Sequence, residues 1–546
     1  MAAVRSAIAL VCSSIAVALP RRKGVGRKAL IPLVTRLLDL EQSYRGYLLA
    51  GAILLLTLLL VVKLRRRSKQ YGGVTLHPPP GPWQLPVIGS MHHLVGALPH
   101  RAMRDLALRH GPLMLLRMGE LPVVVASSAA AAMEIMKTHD VAFATRPRTN
   151  TIVALSGDGL GVALAPHGDH WRRVRKLCAM ELLGAPRVRS FRGTREAEAD
   201  ALVASVAVEA ASGAAVNVSS LVATYVADAV VRSMVGDRIA DREAFLACLY
   251  EGVRVAAGFS LADLFPSSRL GRALSGTARQ VEAMVREMSR LVDGVIEEKR
   301  ARKAAGAGCE EEEDILDVLL DCGGGGAPLD IGTVRAMMRD LFGAGSETSA
   351  STIVWAMAKL VRKPAALRRA QAEVRSALAG QSRAREEALQ ELPYLRLVIK
   401  ETLRLHAAVP LLLPRECREP SRVLGYDVPQ GTMVLVNAWA IGRDASSWGP
   451  DAEEFRPERF EEESAAAVDL RGTDFQLVPF GAGRRMCPGI TFGLAVMEVA
   501  LASLLFHFDW ELPGGTEELD MAEAFGITAR RKTDLWLHAT VVVPPL

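Results

Sequence analysis

The chain has 546 residues, 50% of them hydrophobic and 23% charged, which excludes disordered and fibrous classes. A net charge of +6 gives no general signal for nucleic-acid binding, so we expect no nucleic-acid partner. The seven cysteines are odd in number, widely spaced and without a C-x-x-C pair. This disfavours a disulfide framework or a zinc site and favours a reducing compartment.

Near the N-terminus, residues 46–62 form an uncharged run, GYLLAGAILLLTLLLVV. The run is just short of the ~20 residues that usually span a bilayer, yet within the observed range. As a core helix of a soluble domain it would have no polar face. Basic residues cluster directly after it, at 63–69. By the positive-inside rule, we expect a single-pass transmembrane anchor with the rest of the chain in the cytosol.

The segments on either side of this run differ in character. Residues 1–45 leave three interpretations open: a second membrane segment, an arginine-rich targeting presequence, or an unused upstream start. Residues 63–82 combine the basic cluster with HPPPGP, where stacked prolines form a stiff spacer instead of a helix. This hinge is expected to set how the domain at 83–546 sits on the membrane.

The domain at 83–546 is predicted to be mainly helical with a few short strands. β-Branched residues favour strands at Leu121–Ala126 and Thr432–Val436. Helical patterns span Ile331–Arg362, Pro364–Leu378 and Tyr394–His406. Asp330 is the expected N-cap of the first of these helices. The charged and glycine-rich stretch 304–329 is expected to be a flexible surface connection.

Two residue pairs and one glycine-containing motif lie on predicted helices. Trp171 and Arg175 are four apart in WRRVRK, and Glu401 and Arg404 are three apart in KETLRLH, so each pair shares one helix face. Alone, such pairs are most often solvated surface features. AGSETS, at 344–349, lies midway along the longest predicted helix, where its glycine costs ~1 kcal/mol relative to alanine.

The most specific pattern is PFGAGRRMCPG, at 479–489. Five of its residues follow the spacing F-x-x-G-x-R-x-C-x-G: Phe480, Gly483, Arg485, Cys487 and Gly489. This resembles the haem-binding loop of cytochrome P-450 enzymes, and a chance match is expected in well under ~1% of chains this long. The proline hinge, AGSETS, PERF and this loop are most similar to the plant microsomal, A-type branch that oxidises specialised metabolites.

The resemblance covers residues 77–546 and implies the cytochrome P-450 haem-thiolate fold, mainly α with small β-sheets, and haem b as cofactor. Cys487 corresponds to the iron ligand, where a thiolate pushes electron density onto the metal and favours O–O cleavage. The glycines of the loop let the backbone approach the porphyrin. Four residues correspond to groups that contact the haem propionates: Arg485, Trp171, Arg175 and Arg415.

Two further motifs resemble family features with different roles. Glu401, Arg404 and Arg459 resemble a buried structural Glu–Arg–Arg network, which is costly unless all members are present. AGSETS matches the pattern A/G-G-x-D/E-T-T/S of the family's oxygen-activating helix. Gly345 is expected to clear space beside the iron for O2. Glu347 and Thr348 are expected to relay protons to oxygen through water.

The resemblance implies a monooxygenase that uses O2 and electrons from an NADPH-cytochrome reductase. One alternative is a haem-thiolate isomerase or dehydratase acting on a pre-oxidised substrate; another is a haem-binding electron carrier or sensor. The intact AGSETS argues against the first, and the pocket-bearing architecture argues against the second. Basic residues near the cysteine loop are expected to receive the acidic reductase: Arg172, Arg173, Lys176 and Arg484.

Four aliphatic stretches are expected, by resemblance, to line the pocket: Thr151–Leu164, Met338–Ser346, Ala407–Leu413 and Phe525–Ile527. Such walls suit an apolar small molecule better than an acid. A diterpenoid-like terpenoid leads over aromatic and fatty substrates. The anchor implies contact with membrane lipid and a place in the endoplasmic reticulum membrane, with the plastid membrane as the alternative.

Overall fold

The computed structural model describes Gly51 and residues 76–545, with gaps at 238, 240–241, 243, 246, 249–250, 253–259, 270, 272–274, 305–312, 322–328 and 515–518. The predicted extension at 1–45, the predicted anchor apart from Gly51, and the basic part of the hinge lie outside the described residues. The proline-rich end of the hinge packs beside a strand, because the Leu115 N–H donates to the Pro80 carbonyl at 2.8 Å. A Cβ at Gly81 would lie 2.0 Å from the Leu115 carbonyl oxygen, so only glycine allows this approach.

Most of the described chain is helical. Its α-helices are α1 (Pro99–His110), α2 (Ala129–Met133), α3 (Asn150–Ser156), α4 (Asp169–Leu177), α5 (Ala185–Ser190), α6 (Arg192–Ala211), α7 (Val218–Val235), α8 (Leu261–Leu264), α9 (Gly276–Ala304), α10 (Ile315–Asp321), α11 (Ile331–Arg362), α12 (Pro364–Ala377), α13 (Pro393–Leu405), α14 (Ala438–Ile441), α15 (Ala445–Trp448), α16 (Glu463–Ala466) and α17 (Ile490–His507). Short 3₁₀ turns lie at Met91–His93, Ala388–Glu391, Pro457–Glu461 and Gly483–Arg485, and π-turns at Glu134–Thr138 and Cys178–Leu182.

Helix α11 packs against α7, α9, α12, α13 and α17, and it has the bounds that its periodicity predicts. Asp330 is its N-cap, as predicted, because the carboxylate accepts the Thr333 N–H at 3.0 Å. Pro364 begins α12 almost directly after it. Helices α12 and α13 match their predicted stretches to within one residue at each end.

The strands are short and form small sheets. They are β1 (Leu113–Met118), β2 (Leu121–Ala126), β3 (Val216–Asn217), β4 (Arg415–Glu416), β5 (Ser421–Val423), β6 (Tyr426–Val428), β7 (Met433–Val436), β8 (Phe508–Glu511) and β9 (Trp536–Val541). Their orders are β1-β2-β7-β4, β3-β9-β8 and β5-β6. Strand β2 has its predicted bounds, and β7 begins one residue later than predicted. Strand β2 pairs with β1 antiparallel and with β7 parallel, placing Val124 beside Val434.

Two apolar helices form much of the core. Within the described residues, α7 and α17 are the helices long and apolar enough to cross a membrane, yet 67% of each is buried inside the protein. Both pack on α6 and α11. The Tyr225 hydroxyl of α7 donates to the Val496 carbonyl of α17 at 3.0 Å, so the two helices are also joined directly. These helices are therefore core elements of the domain.

The stretch 304–329 differs from its predicted state. The prediction of a flexible surface connection is wrong for 315–321, which forms α10 with Ile315, Leu316, Val318 and Leu319 buried. Lys299 of α9 pairs with Asp317 at 2.9 Å and also with Asp314. The run ILDVLL carried the signal, because apolar residues three and four apart predict a buried helix face. The charge and glycine runs on either side obscured it.

Glu401, Arg404 and Arg459 form the predicted buried network. Arg404 donates to both carboxylate oxygens of Glu401 at 2.7 and 2.8 Å, and Arg459 Nε donates to the same carboxylate at 2.9 Å. Arg459 also lies 3.4 Å from the Asp451 carboxylate, which balances the second guanidinium. Arg404 donates to the Gly442 carbonyl at 2.5 Å. The network therefore ties α13 to the segments that follow α14.

Replacing Glu401 should show what this network contributes. Glu401→Gln leaves two buried guanidinium groups without their shared carboxylate, so the free energy of unfolding should fall by about 3–5 kcal/mol. Denaturant unfolding followed by circular dichroism measures this. Glu387→Gln removes a carboxylate that pairs with Arg192 at the exposed surface, and should cost at most about 1 kcal/mol. Equal losses in the two variants would contradict the role of the network.

Candidate active site

The Cys487 loop is a closed turn that leads into α17. The Met486 N–H donates to the Gly483 carbonyl at 3.0 Å, which completes the 3₁₀ turn at Gly483–Arg485. The Cys487 N–H donates to the Phe480 carbonyl at 2.9 Å, so Phe480 lies across the base of the loop. Of the free cysteines in the described segments, Cys487 is the one that is not fully buried.

Gly483 and Gly489 have different neighbours. Gly483 has φ +67°, and a Cβ there would lie 2.1 Å from the Met136 carbonyl oxygen, so other residues are excluded. In this structure Gly483 serves the packing of the loop on the π-turn at Glu134–Thr138, a reason that the sequence does not reveal. A Cβ at Gly489 would lie 3.9 Å from the Cys487 Sγ, so Gly489 leaves the space beside the sulfur open.

The structure brings the predicted propionate-contacting residues together around this loop. Arg175 and Arg415 each donate to a carbonyl of the loop, at 2.5 and 3.0 Å. The Arg485 guanidinium lies 4.0 Å from the centre of the Trp171 ring and so makes a cation–π contact. Helix α4 places Trp171 and Arg175 on one side of the loop, and β4 places Arg415 on another.

Arg146 belongs to the same cluster and was missed in the sequence. It is buried and donates to the carbonyls of Ala163, Leu413 and Pro414 at 3.0, 2.9 and 2.8 Å. Burial lowers the pKa of Arg146 well below its usual value, and the charges of the other arginines in the cluster lower it further. No motif marks this residue, because its role depends on contacts with segments far along the chain.

Burial makes the arginine cluster electrostatically costly. It lowers the pKa of Arg415 to about 10 and that of Arg485 to about 9, and the charges of Arg415 and Arg175 add to the effect on Arg485. Within the described residues, the Arg415 Nη1 is buried without a hydrogen-bond partner, 3.6 Å from the Asp140 carboxylate. An anionic group beside the Cys487 loop would satisfy it. The two propionates of haem b fit this requirement.

The surroundings of the Cys487 sulfur favour a thiolate only in part. Burial raises the pKa of the Cys487 thiol, whereas the Gly489 backbone N–H and the charge of Arg175 act in the opposite direction. A metal ion coordinated by a thiol deprotonates it outright. The amide and the guanidinium are then placed to stabilise the thiolate, as groups around a metal ligand usually do.

The central turns of α11 carry AGSETS. The Thr348 hydroxyl donates to the Ala344 carbonyl at 2.8 Å. Ala344 is exposed although it lies midway along a largely buried helix, so this face of α11 borders a solvent-accessible space. A Cβ at Gly345 would lie 3.2 Å from the Val230 side chain of α7. Gly345 therefore lets α7 pack closely on α11, and its expected role beside the iron stays a prediction.

Glu347 contacts a residue that the sequence analysis missed. The Thr528 hydroxyl donates to the Glu347 carboxylate at 3.4 Å. Burial raises the pKa of Glu347, opposed by the charge of Arg530 and by this hydrogen bond. The carboxyl group therefore keeps its proton to a higher pH than an exposed glutamate, which suits a proton donor. Thr528 directly follows the predicted pocket stretch Phe525–Ile527.

The predicted stretches converge on α11 and on one another. The Asp340 carboxylate accepts the Val162 and Ala163 N–H groups at 2.7 and 2.8 Å, which ties the stretch 151–164 to α11. The Ala529 N–H donates to the Ala408 carbonyl at 2.9 Å, which joins the stretch 407–413 to the residue two positions after the stretch 525–527. Phe525, in contrast, is 59% exposed.

Helix α17 connects the two motifs. It begins directly after the Cys487 loop, and a Cβ at its Gly493 would lie 3.6 Å from the Ser349 Oγ of AGSETS. The packing of α17 on α11 therefore joins the start of α17, directly after the cysteine loop, to the AGSETS turn of α11.

Comparison with solved structures supports the fold. A zebrafish cytochrome P-450 structure with progesterone matches with a TM-score of 0.68 at 24% identity, covering 81% of this chain and 99% of that chain. This likeness confirms the predicted fold class, mainly α with small sheets.

Curated relatives are plant proteins. Desmethyl-deoxy-podophyllotoxin synthase of Sinopodophyllum hexandrum is 45% identical over 92% of this chain and 98% of its own length. Dolabradiene monooxygenase of Zea mays is 47% identical over 85% and 92%. Amorpha-4,11-diene 12-monooxygenase of Artemisia annua is 43% identical over 90% and 97%. The predicted plant branch is therefore confirmed. A family model for cytochrome P-450 matches residues 78–537, and the chain accordingly belongs to the cytochrome P-450 family of haem-thiolate monooxygenases.

Proposed function

We propose that this protein inserts one oxygen atom of O2 into an apolar, terpenoid substrate, with electrons from an NADPH-cytochrome reductase. The observation that carries the proposal is the joint placement of two groups of residues. An arginine-lined cysteine loop begins α17, and a buried acid beside a threonine lies on α11 where α17 packs against it.

Cys487 is proposed as the iron ligand. Arg175, Arg415 and Arg485, with Trp171, would hold the propionates. The three arginines carry more positive charge than the Asp140 carboxylate, which lies 3.6 Å from Arg415, can balance. Phe480 and Gly489 border the ligand, and Gly483 keeps the loop in place. When bound, haem b supplies a thiolate-ligated iron that activates O2. The protein holds the sulfur in a largely dry environment with one amide and one cation nearby.

Glu347 and Thr348 are proposed to deliver protons on the substrate side of α11, beside Gly345. The raised pKa of Glu347 keeps its carboxyl group protonated to a higher pH than that of an exposed glutamate. The Thr348 hydroxyl keeps its acceptor lone pairs available while it donates to Ala344. This pair favours monooxygenation over an isomerase or dehydratase, which needs no proton delivery to O2.

The substrate is proposed to be a terpenoid hydrocarbon, diterpenoid-like in size. Two relatives are named for the dienes dolabradiene and amorpha-4,11-diene. The stretches that converge on α11 contribute apolar side chains, among them Leu411, Leu412 and Phe525, which suit an uncharged ligand. Aromatic and fatty compounds belong in the same substrate screen as alternatives.

The uncharged run at 46–62 and the basic cluster after it support a single-pass anchor in contact with membrane lipid. We place the protein in the endoplasmic reticulum membrane with its catalytic domain in the cytosol. The arginine-rich residues 1–45 support the plastid membrane as the alternative.

The activity test combines a substrate screen with a ligand variant. The membrane-bound protein, with a plant reductase, NADPH and labelled O2, should add one labelled oxygen atom to a terpenoid diene, as read by mass spectrometry. Cys487→Ser should abolish this product, because an alcohol is a hard ligand that cannot replace the thiolate. It should also remove the red-shifted Soret band of the reduced, CO-bound protein.

Cys417→Ser is the matched control. Cys417 is buried and its thiol donates to the Glu419 carbonyl at 3.0 Å, a bond that a serine hydroxyl can keep. Its CO spectrum and product should resemble those of the wild type. An unshifted Soret band from well-folded wild-type protein would contradict thiolate ligation.

Removal of the Thr348 hydroxyl should separate substrate binding from oxygen chemistry. Thr348→Ala should bind substrate normally but divert electrons to peroxide, with a loss of about 10²-fold in product, or about 2.7 kcal/mol in barrier. The ratio of product to NADPH consumed measures this. Thr352→Ala is the control, because it removes a hydroxyl that donates to the Thr348 carbonyl one turn later in the helix. Its NADPH consumption should stay coupled to product formation. Full coupling in Thr348→Ala would remove this residue from the mechanism.

The reductase is proposed to dock on a basic surface beside the Cys487 loop. Arg172, Arg173 and Lys176 are exposed on α4, whose Arg175 contacts that loop, and Arg484 is exposed on the loop itself. Replacing the three α4 residues with glutamate should slow reductase-supported turnover about tenfold or more and flatten its salt dependence, because electrostatic steering is lost.

Peroxide-driven turnover needs no partner and serves as the internal control for this charge reversal. Glutamate at three exposed residues of α9, Arg286, Arg290 and Arg300, gives a matched change of charge elsewhere. Equal loss of both turnover routes in the α4 variant would place the damage in folding or haem retention and reject the docking surface.

A further inference from the structure

Asp340 holds the backbone of a neighbouring loop. It lies on α11 before AGSETS, and its Oδ2 accepts two consecutive N–H groups, from Val162 at 2.7 Å and from Ala163 at 2.8 Å. One carboxylate oxygen therefore fixes the path of the loop that connects α3 to α4. A buried N–H group that loses its acceptor costs more than the net worth of the bond, so these two contacts hold the loop against α11.

Glycines make this contact possible. A Cβ at Gly161 would lie 2.2 Å from the Asp340 Oδ2 and 2.9 Å from its Cγ, so a side chain there cannot coexist with the carboxylate. At Gly157, which has φ +58°, a Cβ would lie 2.3 Å from the Arg339 guanidinium. Two glycines of the loop thus face two consecutive polar residues of α11.

The carbonyl groups of the same loop are held from the opposite side by the arginine cluster. Trp171 Nε1 donates to the Val162 carbonyl at 3.1 Å, and Arg146 Nε donates to the Ala163 carbonyl at 3.0 Å. Arg485 donates to the Ala165 carbonyl at 2.6 Å. Residues 162–165 therefore bridge α11 and the residues proposed to hold the haem propionates.

We propose that Asp340 is a positioning residue that sets the loop at 157–165 against α11 and thereby fixes the shape of the substrate pocket. The carboxylate touches no reacting atom and acts through the Val162 and Ala163 amides. Release of these amides would let the loop move away from α11, so that the substrate is held in several orientations. The substrate part of this inference rests on the proposed function, whereas the loop part does not.

Three variants and one control test the proposal in the haem-loaded, full-length protein. Asp340→Ala removes the acceptor, and Gly161→Ala forces the loop off an intact carboxylate. Asp340→Asn keeps one amide oxygen that can accept both N–H groups. Gly168→Ala is the matched control, because a Cβ there meets nothing within 4 Å and the backbone is extended.

Asp340→Ala and Gly161→Ala should both raise amide hydrogen exchange at Val162 and Ala163 about tenfold or more, the loss expected when a backbone N–H group loses its hydrogen-bond acceptor. Both should weaken substrate binding, read from the substrate-induced spin-state change, and broaden the set of product regioisomers. Asp340→Asn and Gly168→Ala should stay close to the wild type in all three measurements. The CO spectrum reports that haem is retained.

Unchanged amide exchange in Asp340→Ala would overturn the proposal, because the loop would then be held by other contacts. Faster exchange with unchanged substrate binding and product pattern would also overturn it. Failure of both Asp340→Ala and Gly161→Ala to fold would assign the contact to stability alone and reject a role in specificity. Absence of turnover in the wild type would count against the proposed function, while amide exchange would still decide whether Asp340 holds the loop.

Discussion

The rest of this structure depends on one constraint, a cluster of four arginine charges beside the Cys487 loop. Arg146, Arg415 and Arg485 are buried, and Arg175 is half-buried. Burial lowers the pKa of each of them, since a cation is unfavourable in a low-dielectric interior. Backbone carbonyls of the cysteine loop and of residues 162–165 offset part of that cost. The propionates of haem b would offset the remainder, so we expect haem binding and folding of these segments to be coupled. The four arginines come from four separate parts of the chain, so the cluster joins these segments.

Helix α11 connects the segments around the arginine cluster to the substrate side of the domain, because residues along it contact different neighbours. Asp340 faces the loop before α4, Gly345 faces α7, Glu347 faces Thr528, and Ser349 lies beside Gly493 of α17. Each of these residues reaches its neighbour only if the helix begins and ends at fixed positions. The Asp330 cap fixes the start, and a proline begins the next helix after its end.

Motifs within a few residues of one another could be predicted from the sequence, and contacts across the fold could not. The bounds of α11 were predicted from its periodicity and its cap. The role of the Cys487 loop and the link from Glu401 to Arg459, 58 residues away, came instead from the family resemblance. Arg146 and Thr528 were missed because each acts through partners far away in sequence. Gly483 was predicted for the cofactor, yet its closest neighbour is the Met136 carbonyl oxygen, a contact that only the fold creates. Family resemblance pointed to these motifs without supplying the physical reasons for their packing.

The contact between Glu347 and Thr528 shows how proton delivery and substrate fit can depend on the same few atoms. Burial raises the pKa of Glu347 in the folded protein, so folding favours its protonated form. The contribution of Glu347 to the free energy of unfolding therefore falls as the pH rises above the usual carboxyl range. Thr528 and Arg530 moderate this cost from the segment that also carries Phe525. A change in that segment that improves the fit of a bulky hydrocarbon would therefore also alter the acidity of Glu347. Substrate range and coupling efficiency are then expected to change together in variants of residues 525–530.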